Sequence, residues 1–388
     1  MKFAHISDVH LGSWKQEPMQ ELNFLSFQKA ISKCIELKVD FVVIAGDLFD
    51  SAYPPIEILK KTFAEFRRLK EAKIPCFIIA GSHDYSVSGK TFLDVLEKAG
   101  FCKNVLNSET YENSDYIYLS PTLYEGVAIY GYPGKKSGLE IEELRRIRLH
   151  DSPGMYKLLV LHTTIDKAKG TLPVDAIETE KLPKADYYAL GHLHIDFQYE
   201  NFVYPGPIFP NNFQELEDIG YGSFYIVDTE TNNLQKITLK IKEVEPVEIE
   251  IKNALIATEQ IISELEKRNL EDKIVLLRIK GELEKGKTSD IKFQKIQEYV
   301  EGKGAYFMLR NTHDLKIKEV ELDMDIDLKN SEDVEKETIN LFSEQNPSEF
   351  NPLIQKLIDA LSIEKQEDEK SEIFISRLVE GARKVLDF

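Results

Sequence analysis

The chain has 388 residues, which exceeds one average domain and predicts two or three compact units with a large core. Hydrophobic residues make up 42% and charged residues 30% of the chain, a composition typical of soluble globular proteins. No stretch of about 18 consecutive apolar residues occurs, and the N-terminal "MKFAHISD" passes directly into a strand pattern without a signal-peptide core. We therefore expect a cytoplasmic protein without a membrane partner.

The net charge of -18 argues against binding of nucleic acid through a global positive field. Bound divalent cations invert the local charge where acidic ligands cluster, so the acidic composition does not exclude DNA. Binding would then depend on short basic patches, although a solvated helix face explains each basic residue equally well. The candidate DNA contacts are Lys135, Lys136, Arg145 and Arg146.

In the first half of the chain, short apolar runs alternate with helical patterns, which predicts an α/β core. The runs "KFAHIS", "DFVVIAG", "CFIIAG", "YKLLVLH" and "DYYALGH" predict buried strands, and helices are predicted over 23–38, 55–71 and 90–99. In such sheets, ligands gather at the carboxyl ends of the strands. Most histidines and several aspartates of this sequence fall at those ends.

The second half changes its pattern. From about 202 to 251, extended alternating runs predict antiparallel strands with a turn at 230–233. A helix around 256–267, the strand "KIVLLRIKG", a helix around 291–300 and the strand "AYFMLRN" then predict a small second α+β unit.

The segment 320–345 is acidic and poor in aromatic residues, which predicts a linker. Two short amphipathic helices are predicted beyond it. Such helices cannot bury their apolar faces alone, so they pack either on the body of the protein or, as the linker favours, in the groove of a partner. The candidate partner contacts are Phe350, Leu353, Ile354, Leu357, Ile358 and Leu378.

Five short motifs combine histidine, aspartate and glycine after apolar strands: "DVH", "GDLFD", "GSHD", "LVLH" and "GHLH". Asp8 and His10 stand two residues apart, as do His192 and His194, so that each pair projects to one face. Imidazole nitrogen mixed with carboxylate oxygen suits Mn, Fe or Zn better than Mg or Ca. A single histidine is more often structural, but five motifs in this order indicate a metal site.

The motif series resembles that of calcineurin-like metallophosphoesterases. In particular, "HISDVHLG", "VIAGDLFD" and "ALGHLH" followed by "VYPGPI" are similar to the meiotic-recombination-eleven/SbcD family of DNA double-strand-break repair nucleases. The resemblance implies an α/β sandwich of two mixed sheets flanked by helices, with a small α+β capping domain and a C-terminal helical segment. The implied divisions are a nuclease domain at 1–245, a DNA-contacting cap at 246–320, an acidic linker at 321–347 and an ATPase-binding segment at 348–388.

The same resemblance implies two Mn²⁺ ions per chain, which together stabilise the attacking and leaving oxygens of an in-line displacement by water. The implied ligands of the first ion, here called the first ion group, are Asp8, His10 and His194. The implied ligands of the second ion, here called the second ion group, are Ser82, His162 and His192. Asp47 would bridge both ions.

The "GSHD" motif contains the implied catalytic residue and one departure from the family. His83, adjacent to the second ion, would donate a hydrogen bond or proton to the developing charge, and Asp84 would either orient His83 or cap the following turn. The family carries Asn at position 82, whereas Ser82 is shorter and a poorer ligand. We expect a weak second ion and dependence on high free Mn²⁺; alternatively, Ser82 serves only the turn before His83.

The implied activity is a Mn-dependent 3'-to-5' exonuclease on duplex ends and an endonuclease on single strands, acting in DNA repair with a coiled-coil SbcC-type ATPase. The resemblance also implies a homodimer formed through helix 55–71, although a core-facing helix explains the same apolar stripe. Two alternatives stay open. A small-substrate phosphodiesterase leaves the cap and tail unexplained, and the retained motifs count against a non-catalytic scaffold of the same complex.

Overall fold

The computed structural model describes residues 1–86, 89–111, 114–317, 336, 338–340, 342–343, 348, 350–365 and 371–386. The chain divides into two compact units, Met1–Lys318 and Glu319–Phe388. The first unit contains both the predicted nuclease domain and the predicted cap, and their boundary at 245 stays a prediction. Most of the predicted linker at 321–347 lies outside the described residues.

The first unit contains these strands, in chain order: β1 (Lys2–Ile6), β2 (Phe41–Ala45), β3 (Cys76–Ile79), β4 (Lys103–Asn104), β5 (Ser108–Thr110), β6 (Ile117–Leu119), β7 (Thr122–Tyr124), β8 (Val127–Tyr132), β9 (Ile147–Leu149), β10 (Tyr156–His162), β11 (Tyr187–Gly191), β12 (Asp196–Tyr199), β13 (Phe202–Pro205), β14 (Gly222–Asp228), β15 (Leu234–Leu239), β16 (Val244–Glu250), β17 (Ile274–Leu283), β18 (Phe307–Asn311) and β19 (Leu315–Ile317). Its α-helices are α1 (Glu17–Glu36), α2 (Ile56–Glu71), α3 (Leu93–Lys98), α4 (Glu140–Leu144), α5 (Phe213–Ile219), α6 (Ala254–Glu266) and α7 (Phe293–Gly302).

Two six-stranded mixed sheets form the body of this unit, in the orders β15-β14-β1-β2-β3-β4 and β12-β13-β11-β10-β8-β7. Strands β1 to β4 run parallel in the first sheet, and β8, β10, β11 and β13 run parallel in the second. The antiparallel strands β14, β15, β12 and β7 complete the edges. The predicted α/β sandwich of two mixed sheets is confirmed.

The core lies between the two sheets because side chains alternate between the faces of each strand. Phe3 and Phe41 from the first sheet meet Leu158 and Val160 from the second in one buried cluster. The rings of Phe3 and Phe41 stack with centroids 5.0 Å apart. The shared apolar face holds the two sheets together and brings the ends of their central strands near each other.

Helices α1 and α2 cover the outer face of the first sheet. Phe27 of α1 and Phe66 and Leu69 of α2 are fully buried there. Ile56, at the start of α2, is 74% exposed. The apolar stripe of α2 is therefore divided, since its later part faces the core and its first residue faces solvent.

The region predicted as the cap, here called the cap, has its own sheet and its own apolar cluster. The sheet β16-β17-β18, to which β19 adds by pairing with β17, carries α6 and α7 on one face. Strand β16 pairs with β17 in parallel, so the prediction of antiparallel strands throughout 202–251 is wrong at β16. At β13 the prediction is confirmed for the antiparallel pairing with β12 and missed the parallel pairing with β11. Strand β17 follows β16 after α6, and β12 separates β11 from β13, so local alternation does not encode these parallel pairings.

In the second unit, the structure describes the helices α8 (Ile354–Leu361) and α9 (Ser371–Leu386), which pack against each other. At Gly381, an added Cβ atom would lie 3.7 Å from the Cβ of Ala360, which reflects this contact. Phe350 is 54% exposed, and the other candidate partner contacts are half-buried: Leu353, Ile354, Leu357, Ile358 and Leu378. Among the helices that the structure describes, none is long and apolar enough to span a membrane.

Candidate metal centre

Each ligand that the sequence predicts lies at or just beyond the carboxyl end of a parallel strand. Strands β1, β2 and β3 are neighbours in one sheet, and β10 and β11 are neighbours in the other. Because parallel strands end at the same edge of a sheet, the loops that follow them meet. These loops place Asp8 and His10 after β1, Asp47 after β2, Ser82 and His83 after β3, His162 at the end of β10, and His192 and His194 after β11.

Five of these residues have left-handed backbone conformations, which residues other than glycine rarely adopt. The φ angle is 50° at Asp8, 45° at His10, 49° at Asp47, 107° at His192 and 51° at His194. Each such conformation costs on the order of 1–3 kcal/mol and persists only where the surrounding structure enforces it. The concentration of strain at this set of residues indicates that they serve a function rather than the stability of the fold.

Two glycines of the motifs allow the loops to approach closely. A Cβ atom at Gly46 would lie 2.3 Å from Nδ1 of His162, and one at Gly81 would lie 2.1 Å from Oδ1 of Asp47. Gly46 also has a φ of 86°, which favours glycine. The glycines that precede Asp47 and Ser82 are therefore required by the packing of the predicted ligands themselves.

In the first ion group, two imidazole nitrogens face each other. Nε2 of His10 lies 3.0 Å from Nε2 of His194, which lies 3.8 Å from Oδ1 of Asp8. The opposite nitrogens contact carboxylates: Nδ1 of His10 lies 3.2 Å from Asp50, and Nδ1 of His194 lies 3.0 Å from Glu215. A neutral ring that donates from Nδ1 carries a lone pair on Nε2. Two lone pairs and a carboxylate oxygen therefore converge, an arrangement that a cation stabilises.

Asp47 lies between the two ion groups. Its Oδ2 is 3.5 Å from Nε2 of His10 and 3.1 Å from Nε2 of His162. His162 is buried, its Nδ1 contacts the carbonyl oxygen of Ala45 at 2.9 Å, and its Nε2 makes no hydrogen bond of acceptable geometry within the described structure. Buried polar atoms normally have partners. A buried, unsatisfied imidazole nitrogen beside a carboxylate fits a ligand whose cation completes the site.

Burial and charge together shift the pKa values of this pair. Burial alone raises the pKa of Asp47, but the charge and hydrogen-bonding capacity of His162, with the charges of His10 and His83, bring that pKa well below its usual range. Burial alone lowers the pKa of His162, but Asp47 and Asp8 raise it to about 10. Both net shifts reflect the attraction between the Asp47 carboxylate and the His162 ring. A bound cation would compete with a proton for the same ligand atoms.

The donor atoms form compact sets. Those of each set lie within 4.8 Å of one another, and the sets are Asp8 with His10 and His194, Asp8 with Asp47 and His162, and His10 with Asp50 and His83. Mixed nitrogen and oxygen ligands suit divalent transition-metal ions. The residues present therefore fit the two-ion site that the sequence predicts, and the identity of the ions stays a prediction.

The second ion group is less complete in its contacts. The ring centroid of His192 lies 5.1 Å from that of His162. Burial, and after it the charge of His162, lowers the pKa of His192 to about 4. Ser82 is half-buried and lines the same cavity as His192. His192 is not a member of the compact sets, and both His192 and Ser82 line the cavity over the site.

His83 and Asp84 have different environments. The His83 ring packs edge to face on His10 with centroids 4.8 Å apart, and its Nδ1 lies 3.0 Å from the carbonyl oxygen of Asp50. It thus contacts the first ion group, whereas the prediction sets it beside the second ion. The Asp84 carboxylate is buried and accepts hydrogen bonds from the backbone N–H groups of Leu48, Phe49 and Gly81. These hydrogen bonds connect the loop after β2 to the loop after β3 and do not involve the His83 ring.

A cavity of about 830 Å³ opens over the site and is lined by Asp50, Ser82, His83, Lys135, Lys136 and His192, among others. Of the four candidate DNA contacts, the two lysines are therefore at the cavity. Arg145 instead pairs with Glu142 and Glu178. Arg146 is exposed and is not among the residues that line the cavity.

Sequence reasoning missed two carboxylates, Asp50 and Glu215, that contact the histidines of the first ion group. Asp50 is the second aspartate of "GDLFD", so its signal was in a motif already recognised. Glu215 lies on α5, three residues after the N-cap Asn212, whose side chain accepts a hydrogen bond from the Glu215 N–H at 2.9 Å. An Asn-x-x-Glu pattern predicts a helix start, but nothing local links it to a histidine twenty-one residues earlier.

The comparisons with known proteins agree with this site. The family model of the calcineurin-like phosphoesterases matches residues 1–196, which include all the predicted ligands. The DNA double-strand break repair protein Mre11 of Methanocaldococcus jannaschii is 29% identical over 314 residues, covering 76% of this chain and 77% of that protein. Mre11 of Methanosarcina mazei is 28% identical over 334 residues, covering 82% of this chain and 50% of that protein.

A further relative, the uncharacterized metallophosphoesterase YhaO of Bacillus subtilis, is 27% identical over 238 residues, covering 57% of this chain and 56% of that protein. The chain thus spans about half the length of two of these three relatives. The matched region contains strands β1 to β4, β7, β8, β10 and β11 of the two sheets, the strained loops and the three compact sets of histidines and carboxylates. By its sequence and its metal centre, the chain belongs to the calcineurin-like phosphoesterase family.

Proposed function

We propose that this chain is a Mn-dependent DNA nuclease that processes the ends of double-strand breaks, as a 3'-to-5' exonuclease on duplex ends and an endonuclease on single strands. The observation that carries the proposal is the convergence of two sets of histidines and carboxylates below an open cavity with two lysines at its wall. The similarity to DNA double-strand break repair proteins supports DNA as the substrate.

The ligand set would bind two divalent cations, with Asp47 between them. Bound cations supply the positive charge that stabilises the attacking and leaving oxygens of an in-line displacement at phosphorus. Asp50 and Glu215 orient His10 and His194 by contact with their Nδ1 atoms. Carboxylates in this position make the ring a stronger ligand and restrict its rotation.

His83 is the candidate for proton transfer. Its side chain is 48% exposed at the cavity, and the carbonyl oxygen of Asp50 accepts from its Nδ1 in the neutral tautomer. Nε2 is then the ring atom that can exchange a proton or hydrogen bond with a phosphate oxygen or leaving group. Because its ring packs on His10, substrate bound over the first ion group would be within its range.

The lysines of the cavity wall would attract the phosphates of a strand. Lys135 pairs with Glu143 at 2.5 Å, and Lys136 is exposed. With a net charge of -18, the chain has little general attraction for DNA, so these local charges and the bound cations would provide the contact. We expect affinity for DNA to depend strongly on divalent ions.

We also propose the two partners that the resemblance implies. The exposed start of α2, at Ile56, supports a homodimer contact. In the second unit, exposed apolar side chains on α8 and α9, including Leu361, Ile373 and Ile375, support binding to a coiled-coil ATPase.

Cleavage of end-labelled DNA tests the main proposal. Duplex and single-stranded DNA, labelled at the 5' or the 3' end, is incubated with the full chain and Mn²⁺, with and without a candidate ATPase and ATP. Asp47→Asn is the inactive control, because it removes the charge between the two ion groups. Shortening of duplex from its 3' ends and internal cuts in single strands are the expected results.

Two other results would contradict the proposal in different ways. A chromogenic phosphodiester cleaved far faster than DNA would favour a small-substrate phosphodiesterase. No cleavage at any Mn²⁺ concentration, together with fewer than one bound ion per chain, would favour a non-catalytic scaffold.

A further inference from the structure

Helix α5 lies between the metal centre and the cap, and it makes polar contacts to both. The helix has seven residues, Phe213–Ile219, with Asn212 as its N-cap and Gly220 as its C-cap. Both the metal centre and the cap belong to the compact unit Met1–Lys318. The helix is thus the structural element through which a change in the cap can affect a predicted metal ligand.

One side of α5 holds His194. Oε1 of Glu215 lies 3.0 Å from Nδ1 of His194 and accepts a hydrogen bond from the side-chain amide of Asn212 at 2.6 Å. Oε2 of Glu215 accepts from the backbone N–H of Asn211 at 2.8 Å. Since both oxygens are engaged, the carboxylate moves with the first turn of α5. The orientation of the His194 ring therefore depends on the position of this helix.

The other side of α5 is held by Arg278, which comes from the central cap strand β17. The guanidinium donates to both carboxylate oxygens of Glu217, at 3.2 and 2.7 Å, and to Oε1 of Gln214 at 2.8 Å. It also lies 5.1 Å from the ring centroid of Phe213. Its side chain is only 13% exposed. A bidentate pair with an added aromatic contact is a strong and directional arrangement that lysine does not reproduce.

An apolar cluster joins α5 to the body of the protein and to strand β17 of the cap. Leu216 of α5, 1% exposed, packs in one cluster with Trp14 of the body and with Ile274 and Leu276 of β17. Trp14 also donates from its indole nitrogen to the carbonyl oxygen of Pro210 at 2.9 Å. Trp14 is the only tryptophan of the sequence, so its fluorescence reports on this junction.

We propose that Arg278 is a positioning residue for the metal centre: by its contacts to Phe213, Gln214 and Glu217 it fixes α5, and α5 fixes the carboxylate that orients His194. The position of the cap then sets the affinity of the first ion group for its ion. Substrate that shifts the cap would in this way alter ion binding without touching a ligand. The proposal rests on the metal site of the proposed function.

The test measures ion binding by the full chain and does not require cleavage. Calorimetric titration with Mn²⁺ gives the dissociation constants of the natural chain and of Arg278→Ala, Arg278→Lys, Glu217→Gln and Glu215→Gln. Loss of an outer partner of a metal ligand typically costs about 10- to 100-fold in affinity, which we expect for Glu215→Gln. For Arg278→Ala we expect a loss of about three- to tenfold in Mn²⁺ affinity, because Arg278 contacts α5 rather than His194 or Glu215. Arg278→Lys should recover only part of that loss.

A double variant distinguishes positioning from general destabilisation. If Arg278 acts through Glu215, then Arg278→Ala adds no further loss of Mn²⁺ affinity when Glu215 is already Gln. The matched control is Arg268→Ala, because Arg268 is a half-buried cap arginine that forms ion pairs with Glu245 and Glu264, neither of which is a residue of α5. That control should bind Mn²⁺ like the natural chain.

Trp14 fluorescence identifies variants whose junction has opened, and Glu217→Gln keeps the shape of the side chain where Arg278→Ala loses too much packing. Unchanged Mn²⁺ affinity in both Arg278→Ala and Glu217→Gln, or losses that add in the double variant, would overturn the proposal. If the natural chain binds two ions with the expected coupling but cuts no DNA, only the proposed nuclease function fails.

Discussion

The two ion groups are built differently, although both lie at strand ends of the same sandwich. In the first group, the Nδ1 atom of each histidine contacts a carboxylate. Asp50 contacts His10, and Glu215 contacts His194. In the second group, Nδ1 of His162 contacts the carbonyl oxygen of Ala45 at 2.9 Å, and the Asp8 carboxylate lies further away, at 3.9 Å. A carboxylate increases the basicity of an imidazole ligand more than a neutral carbonyl does.

Ser82, another predicted ligand of the second group, increases the expected difference in ion affinity between the two groups. Ser82 offers a neutral hydroxyl from a half-buried position, and it lies with His192 at the cavity edge. The affinity of an ion therefore depends on the groups that contact its ligands as much as on the ligands themselves. We expect the first ion to bind tightly and the second to require high free Mn²⁺.

Asp47→Asn should lower the ion affinity of both groups and so remove the difference between them. Its Oδ2 lies within 3.5 Å of His10 and 3.1 Å of His162, so that the substitution removes charge from both ions. We expect a loss of Mn²⁺ affinity beyond the about 10- to 100-fold of an outer partner, and cleavage at background. Metal analysis and the DNA assay measure it. Asp151→Asn, at a side chain 82% exposed, is the control, and two ions retained by Asp47→Asn would refute the bridging role.

His83→Gln should separate chemistry from ion binding. The ring packs on His10 but contributes to the site from an exposed position, so both dissociation constants should stay unchanged. Loss of a proton donor costs about 100- to 10,000-fold in rate. Single-turnover cleavage at saturating Mn²⁺ measures this loss, and His150→Gln is the matched histidine control. A rate within twofold of the natural chain would remove His83 from the mechanism.

Asp50→Asn should weaken the first group selectively. The amide no longer carries the charge that polarises His10, and we expect about a tenfold rise in the dissociation constant of the first ion. The second ion should bind as before, since Asp50 contacts His10 and His83 only among the predicted site residues. Calorimetric titration resolves the two steps, with the exposed Asp272→Asn as control. Equal weakening of both ions would contradict the division into two groups.

Ser82→Asn should strengthen the second group and so reduce the contrast. An amide oxygen reaches further than a hydroxyl, and we expect the Mn²⁺ concentration at half-maximal activity to fall by about tenfold, the size of effect that one ligand partner has. Ser82→Ala is the matched variant, which should require as much Mn²⁺ as the natural chain or more. Superimposable Mn²⁺ curves for the natural chain and Ser82→Asn would show that position 82 serves only the turn.

The sequence predicted the parts of the fold that local pattern encodes. The apolar runs correspond to β1, β2, β3, β10 and β11, and helix 55–71 matches α2 within one residue. Helix α1 begins at Glu17, six residues before its predicted start, because Pro18 in its first turn is compatible with a helix start. Strand β8, central in the second sheet, was missed, since its glycine and two tyrosines weaken the apolar pattern.

The residues of the site likewise divide into those that short motifs predict and those that only the fold brings together. The motifs predicted the members of the two ion groups, but the contacts of these residues depend on side chains far apart in the chain. Arg145, a candidate DNA contact, pairs with Glu178, 33 residues away. Arg278 and Glu217 are 61 residues apart, and no local pattern relates them.

The amino-acid sequence by itself determined the fold class and the candidate ligands, because apolar periodicity and short motifs act over a few residues. Only the tertiary structure decided which carboxylate stands behind which histidine, where His83 lies and how α5 links His194 to the cap. The physical reason is that these contacts depend on distances across strands and helices. The strained φ angles of Asp8 and His192 likewise exist only where the packed loops enforce them.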